Sequence, residues 1–486
     1  MILNFSAEER EILNKKLENY LRPVRFRESE VIPDATDGRT PFDSDFARVA
    51  LSAPIRRLQD KTQVFPLPEY DFVRSRLTHS LEVLCIARGL GLGVEKVLSA
   101  NGLFEIGKID HYHHAITSIL ETAAMIHDIG NPPFGHKIEK TVQDFFRHIK
   151  NPFIKECFNQ LNDLQKADLQ NIEGNSQGFR ILRHLALAKD EYSYNLTMPT
   201  MSTIIKYPYS SIRGNKKGVG IPHEQEKFGY LQAESEAYSQ ICSTLGLRPE
   251  GHRHPLTYLL EAADDIAYSV CDIEDAYKNG MVRAVELMKN YHECGYHDAE
   301  IDKCIETLAS DDEVVEQYNI QSLRIKIQSK MIIECTKTFC RNYKKIIDGN
   351  YRRELLEDSD VALLKVFCKN TIKSVFKEEE IVEKEKEASE AVQFLLEGFL
   401  LEVLLLTPET PQDSWEYTLY KYISPNYRKI ACEDGMDVPT DMYKKFLLVT
   451  DHIFGMTDGF LMKQYEDENV QSLIKALHEK LGIKEN

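Results

Sequence analysis

The 486-residue chain has ten cysteines but no CxxC pair among them. Their scatter argues against a disulfide framework and for reduced thiols, with a cytoplasmic setting as the expectation. No apolar run reaches the roughly 18–20 residues that a membrane-spanning helix needs. The strongest, FLLEGFLLEVLLL at 394–406, is interrupted by Glu397 and Glu402. It reads either as buried core or as a contact helix between subunits, the two weighing equally. The start, MILNFSAEEREILNKK, lacks a secretory pattern and reads as a charged helix. A cationic surplus is missing too: 60 Lys and Arg stand against 77 Asp and Glu, a formal charge of −17. That argues against a surface built as a whole for nucleic acid or anionic lipid, though a local basic pocket stays open. Internal repeats and low-complexity linkers are absent, and alternating β patterns are few.

What is present is helix. With 42% hydrophobic and 28% charged residues, the composition is that of an ordinary globular protein. Periodicity near 3.6 runs through 77–98, 115–129, 255–277, 315–346 and 378–406, which predicts a mostly α fold. Residues 194–254, rich in proline, glycine and aromatics, read as an irregular insertion. The run KEEEIVEKEKEASE at 377–390 reads as a solvated helical face. Length alone allows two to four domains, yet no shift of composition marks a boundary.

The stretch richest in chemistry is HDIGNPPFGHKIE, residues 127–139. Ile116, Leu120, Ala123 and His127 share one helical stripe, so His127 points where a core residue would. A buried imidazole needs a partner, and a metal ion suits an adjacent His127-Asp128 pair. His136 and Glu139 are three residues apart on one helical face, which alone could be a surface pair. His79 opens an amphipathic helix with Val83 and Ile86 on its side, and alone it reads as a core histidine. Asp264, Tyr268 and Asp272 recur at four-residue steps, either as a wet helix face or as a site, while Asp265 lies about 100° away. His111, His113 and His114 read as an exposed turn.

The joint pattern His…His-Asp…Asp resembles the ligand set of the HD hydrolase superfamily. Within it the chain closely resembles the deoxyguanosine triphosphate triphosphohydrolases. The resemblance runs in order through RTPFDSDFARVALSAPIRRLQDKTQVFP (39–66), RSRLTHSLEV (74–83), HDIGNPPFGHKIE (127–139) and NIEGNSQGFRIL (171–182). It continues through IIKYPY (204–209), PLTYLLEAADDIAYSVCDIED (255–275) and DHIFGMTDGF (451–460). It implies an HD-type core over 1–290, containing the 194–254 insertion, with a helical region 291–486 packed on it and not independent. It implies His79, His127, Asp128 and Asp264 as metal ligands and His136 with Glu139 as the catalytic pair. Arg76, Lys206 and Tyr207 match phosphate contacts, Tyr268 and Asp272 the deoxyribose end, and Gln59 and Asn175 the nucleoside pocket. Asn131 and Gly174 depart from the pattern, each standing where relatives carry histidine.

The mixed N/O ligand set suits Mn²⁺, Fe²⁺, Co²⁺ or Ni²⁺, and Mg²⁺ at some loss of preference; Mg²⁺ or Mn²⁺ is the first expectation. The implied substrate is dGTP or another dNTP, split by water into deoxynucleoside and tripolyphosphate. A homo-oligomer is implied, a hexamer first. The competing readings are another HD phosphohydrolase, acting on monophosphates, cyclic nucleotides or guanosine tetraphosphate, and a non-catalytic protein that binds nucleotide and metal.

Overall fold

The computed structural model describes residues 1–27, 36–64, 73–104, 114–186, 190, 192–216, 218, 220–373, 379–433 and 435–482. Helix α1 (Ala7–Tyr20) opens with a reciprocal capping box between Ser6 and Glu9. Thr40 and Asp43 repeat the device at α2 (Pro41–Ala50). Ser75 caps α3 (Arg76–Ala100), which buries His79, Val83, Ile86, Leu90, Val94 and Leu98. After α4 (Ala115–Ile126) come α5 (His136–Arg147), α6 (Gly174–Arg180) and α7 (Thr257–Lys278). The later principal helices are α8 (Glu313–Arg341), α9 (Glu379–Leu405) and α10 (Met442–Gly455).

Residues of α4 are buried on nearly every side, as an apolar helix without a polar face must be. It lies between α3 and α2 and also touches α7. In turn α7 packs on α3, α8 covers both, and α9 joins α5 to α10. Among the described residues β structure is limited to three isolated bridges, including Thr62 with Ser75. The mostly α expectation therefore holds. No described helix is long and apolar enough to cross a membrane.

The apolar run at 394–406 is core. Leu395, Leu396, Phe399, Leu400 and Leu401 are all fully buried within the single chain, so the subunit-contact alternative for this helix is set aside. Upstream on α9, Val382, Glu383, Lys386, Glu387 and Glu390 are exposed, as a solvated face should be; residues 377 and 378 lie outside the described residues. The 194–254 stretch contains a helix that its prolines and glycines hid, Ser235–Leu245. Ala237, Ile241 and Leu245 are buried at four-residue spacing, and Gly246 closes the helix at φ 72°. His111 and His113 lie outside the described residues, while His114 stands 3.2 Å from Glu95 with its side chain 46% exposed.

Candidate metal centre and active site

Helix α4 stops at Ile126, and His127 follows with helical backbone. His127 Nδ1 lies 2.7 Å from the Ala124 carbonyl. A carbonyl only accepts, so the proton sits on Nδ1 and the lone pair on Nε2. Among the described residues that Nε2 is buried without a hydrogen-bond partner, a state that costs about 1–3 kcal/mol. Around it stand Asp128 Oδ1 and Asp264 Oδ1, each at 3.5 Å. His79 Nε2 is 3.2 Å from the same Asp264 oxygen. The donor atoms of His79, His127 and Asp264 lie within 4.8 Å of one another. The vacant imidazole lone pair and the shared carboxylate oxygen fit a first-row divalent cation.

Asp128 stands beside that trio, its oxygens engaged elsewhere. Oδ2 accepts from Arg76 Nη1 at 2.8 Å and Oδ1 from Asn131 Nδ2 at 2.6 Å. Burial opposes ionisation of Asp128, but the neighbouring His127, Arg76 and His79 hold it well below the usual carboxylate range. Asp264 behaves alike: burial works against its charge, and Lys206 and His127 overcome it. Lys206 Nζ sits 2.6 Å from Asp264 Oδ2, leaving Oδ1 to the imidazoles. Both carboxylates are thus held toward the ionised form, the state that metal binding would require. Asp265 turns away and accepts from Lys365 Nζ at 2.9 Å.

Gly135, at φ 59°, turns the chain into α5. A Cβ there would stand 2.7 Å from Arg76 Nη2; the positive φ favours glycine, and a larger residue would also push on that guanidinium. His136 is the first residue of α5, and its Nδ1 donates to Glu139 Oε2 at 2.6 Å. The other Glu139 oxygen accepts the Gly174 N–H at 2.7 Å. Burial alone would raise the Glu139 carboxyl, but His136, Lys227 and that N–H bring it down to about 2. With Nδ1 held and the side chain 75% exposed, His136 presents Nε2 as its available atom. The two departures from the family pattern touch each other. A Cβ on Gly174 would fall 2.3 Å from Asn131 Oδ1, so the Asn131 amide occupies the room that Gly174 leaves.

Of the remaining expected residues, Arg76 and Lys206 meet the centre directly. Arg76 is buried, and its Nε is unpartnered. Tyr207 is buried, and burial pushes its hydroxyl up to about 12. Tyr268 lies one turn beyond Asp264 on α7 and is 39% exposed. One further turn on, Asp272 is buried, with Oδ2 unpartnered among the described residues. Asn175 donates from Nδ2 to Glu173 Oε2 at 2.7 Å, next to Gly174. Gln59 is exposed on the short turn Leu58–Asp60. Among the described residues it shares no hydrogen bond with the others.

Several supporting residues carry no motif of their own. Buried Lys61 donates to the Asn131 carbonyl at 2.6 Å and to the Phe454 carbonyl at 2.9 Å. Burial pushes its ammonium down to about 7, against the pull of Asp458. Asp458 Oδ1 accepts the Phe134 N–H at 2.9 Å, and Oδ2 accepts the Thr62 N–H at the same distance. Phe134 is at φ 53°, uncommon for a bulky side chain, and Asp458 helps to hold it there. The clue was positional, since Lys61 and Asp458 lie inside matched blocks. A second cluster joins His223 Nε2 to Glu261 at 3.3 Å and to Glu354 at 3.2 Å. Cations already fill it, because Arg253 takes both Glu261 oxygens and Lys365 sits on Glu354.

The description "HD domain" matches residues 76–185, the span that holds His79, His127, Asp128, His136 and Glu139. A deoxyguanosinetriphosphate triphosphohydrolase-like protein of Listeria monocytogenes is 36% identical, over 93% of this chain and 99% of its own. One of Synechocystis is 34% identical, over 86% of this chain and 91% of its own. A deoxyguanosinetriphosphate triphosphohydrolase of Salmonella arizonae is 29% identical, over 87% and 92%. Likeness along nearly the whole length, with a cation-ready His–His–Asp group at its centre, places the chain in the HD-domain family of deoxyguanosinetriphosphate triphosphohydrolase-like proteins, metal-dependent phosphohydrolases.

Proposed function

We propose that the protein is a dNTP triphosphohydrolase that converts dGTP, or another dNTP, and water into deoxynucleoside and tripolyphosphate. The observation that carries this reading is a buried, partnerless His127 Nε2 facing the Asp264 oxygen shared with His79, beside an exposed His136 tied to Glu139. In this reading His79, His127, Asp128 and Asp264 hold the cation, Mg²⁺ or Mn²⁺. The cation supplies Lewis acidity at the phosphoryl group. Asp128 keeps its place through Arg76 and Asn131.

Water attacks the α-phosphorus and the bond to the 5′-oxygen breaks. A proton passes through His136 Nε2 between the attacking water and the departing oxygen. Glu139 fixes the tautomer through Nδ1 and steadies the imidazolium, an arrangement typically worth ~10²–10⁴-fold. Arg76 and Lys206 neutralise the triphosphate tail, and Tyr207 walls it. Tyr268 packs against C2′, so a ribose hydroxyl would meet its ring, and Asp272 takes a sugar hydroxyl on its free oxygen. Asn175 and Gln59 line the nucleoside end, and the active species is a homo-oligomer.

Product analysis tests the reaction. Purified protein with each dNTP and Mn²⁺ or Mg²⁺ should release deoxynucleoside and intact tripolyphosphate. Release of pyrophosphate or orthophosphate would assign the chain to a different phosphohydrolase chemistry. No turnover of any dNTP would point to a binding protein.

A further inference from the structure

Lys206 meets Asp264 through its side chain, while its backbone is anchored from elsewhere. Arg253, almost wholly buried, spends every arm of its guanidinium nearby. Nε donates to the Lys206 carbonyl at 2.7 Å. Nη1 and Nη2 donate to Glu261 Oε2 and Oε1 at 2.9 and 3.1 Å. Glu261 lies on α7 three residues before Asp264, hence one turn back on the same face. Its Oε1 also meets His223 Nε2 at 3.3 Å, and the His223 ring lies 5.9 Å from the Tyr207 ring. Two consecutive residues, Lys206 by its backbone and Tyr207 by its ring, are therefore tied to one carboxylate on the helix that carries Asp264.

A buried ionic trio is a poor source of stability, since desolvation offsets most of its attraction and apolar replacements are often neutral or better. What it supplies is geometry, because a bidentate fork fixes both distance and orientation. We infer that Glu261 is a positioning residue of the phosphate subsite: acting through Arg253 and His223, it sets where Lys206 and Tyr207 stand relative to Asp264. The inference rests on reading Lys206 and Tyr207 as contacts of the triphosphate tail. Glu261 itself touches no reacting atom.

The test measures binding of inorganic tripolyphosphate to the full-length, Mn²⁺-loaded protein by calorimetry, with Mn²⁺ affinity measured separately. Glu261→Gln and Arg253→Lys, which keep shape or charge but lose the fork, should weaken tripolyphosphate roughly tenfold. Mn²⁺ affinity should stay within about threefold of wild type, a split that general loosening of the fold would not give. In a Lys206→Ala background Glu261→Gln should add less than about threefold, because only Tyr207 is then left for it to position. Since the Arg253–Glu261 pair is buried, His223→Gln at the half-exposed end of the network decides if those variants fail to fold. It should weaken tripolyphosphate about threefold with Mn²⁺ binding intact. Wild-type affinity in these variants, while Lys206→Ala alone loses it, would overturn the inference and spare the function reading. Equal losses in both backgrounds would overturn it too. Wild-type affinity in Lys206→Ala would remove the phosphate reading of that lysine, and the inference with it.

Discussion

His127 Nε2 is the atom on which the site turns, because the fold spends the other ring nitrogen on a backbone carbonyl and, among the described residues, gives this one no hydrogen bond. The same division of labour recurs at His136, with one nitrogen committed to a carboxylate and the other left to solvent. In the proposed function the two histidines take opposite tasks, a fixed ligand inside and a proton carrier outside. His136→Ala should lower kcat by ~10²–10⁴-fold, and Glu139→Gln by less, since the imidazole remains. Both should keep wild-type Mn²⁺ affinity in a metal titration; loss of metal in either would move the pair into the ligand set. At this scale helical phase placed the residues, and the family resemblance supplied the roles expected of them. His79 and His127 sit on apolar stripes, and Asp264 shares the line of Tyr268 and Asp272. The structure turns Asp264 toward both imidazoles and Asp265 toward Lys365. What phase could not give was the fit of Asn131 into the space beside Gly174, which depends on two segments meeting.

Elements were legible in proportion to length. The five long periodic stretches match α3, α4, α7, α8 and α9 closely, because a stripe sustained over many turns leaves no other way to bury it. The short helix Ser235–Leu245 was lost because turn residues on both sides outweighed three apolar positions. In α9 the sequence flagged two carboxylates in an apolar run, and their fates differ. Glu397 accepts from Asn151 at 2.8 Å. Glu402 is buried, and its carboxyl is pushed up to about 8 by burial, which the Tyr420 and Leu419 N–H groups only partly offset. Below its ordinary value of 4.5, both the folded and unfolded states carry the proton and stability is unaffected. Between there and about 8 the unfolded chain releases a proton that the fold retains, so stability falls as pH rises. Above that value the loss is complete and constant. Glu402→Gln should therefore flatten the decline, with an advantage over wild type at pH 8 on the order of 4 kcal/mol. Denaturant unfolding at pH 5 and pH 8 measures it, and equal slopes for the two proteins would mean that Glu402 is ionised in the fold.

Over the whole molecule the site is assembled from segments that sequence reading treats as separate. Lys61 reaches a carbonyl of residue 454, 393 positions away, and Asp458 closes the turn that presents His136. Helix α8, from the second half of the chain, covers α3 and α7, which carry His79 and Asp264. No local pattern announces such ties; only the order of matched blocks hinted that residues 451–460 belong with 127–139. A centre built from distant parts couples ligand binding to global stability, because the unfolded chain cannot hold its donors together. Mn²⁺ at a hundred times its dissociation constant should stabilise the fold by about 2.7 kcal/mol, read as a rise in the unfolding midpoint that EDTA reverses. Asp264→Ala should abolish the rise, since the oxygen common to both imidazoles is removed. Asp265→Ala should retain it, because that carboxylate serves Lys365 instead. A metal-dependent rise that survives in Asp264→Ala but vanishes in Asp265→Ala would transfer the fourth ligand to the neighbouring carboxylate and, with it, redraw which face of α7 looks into the site.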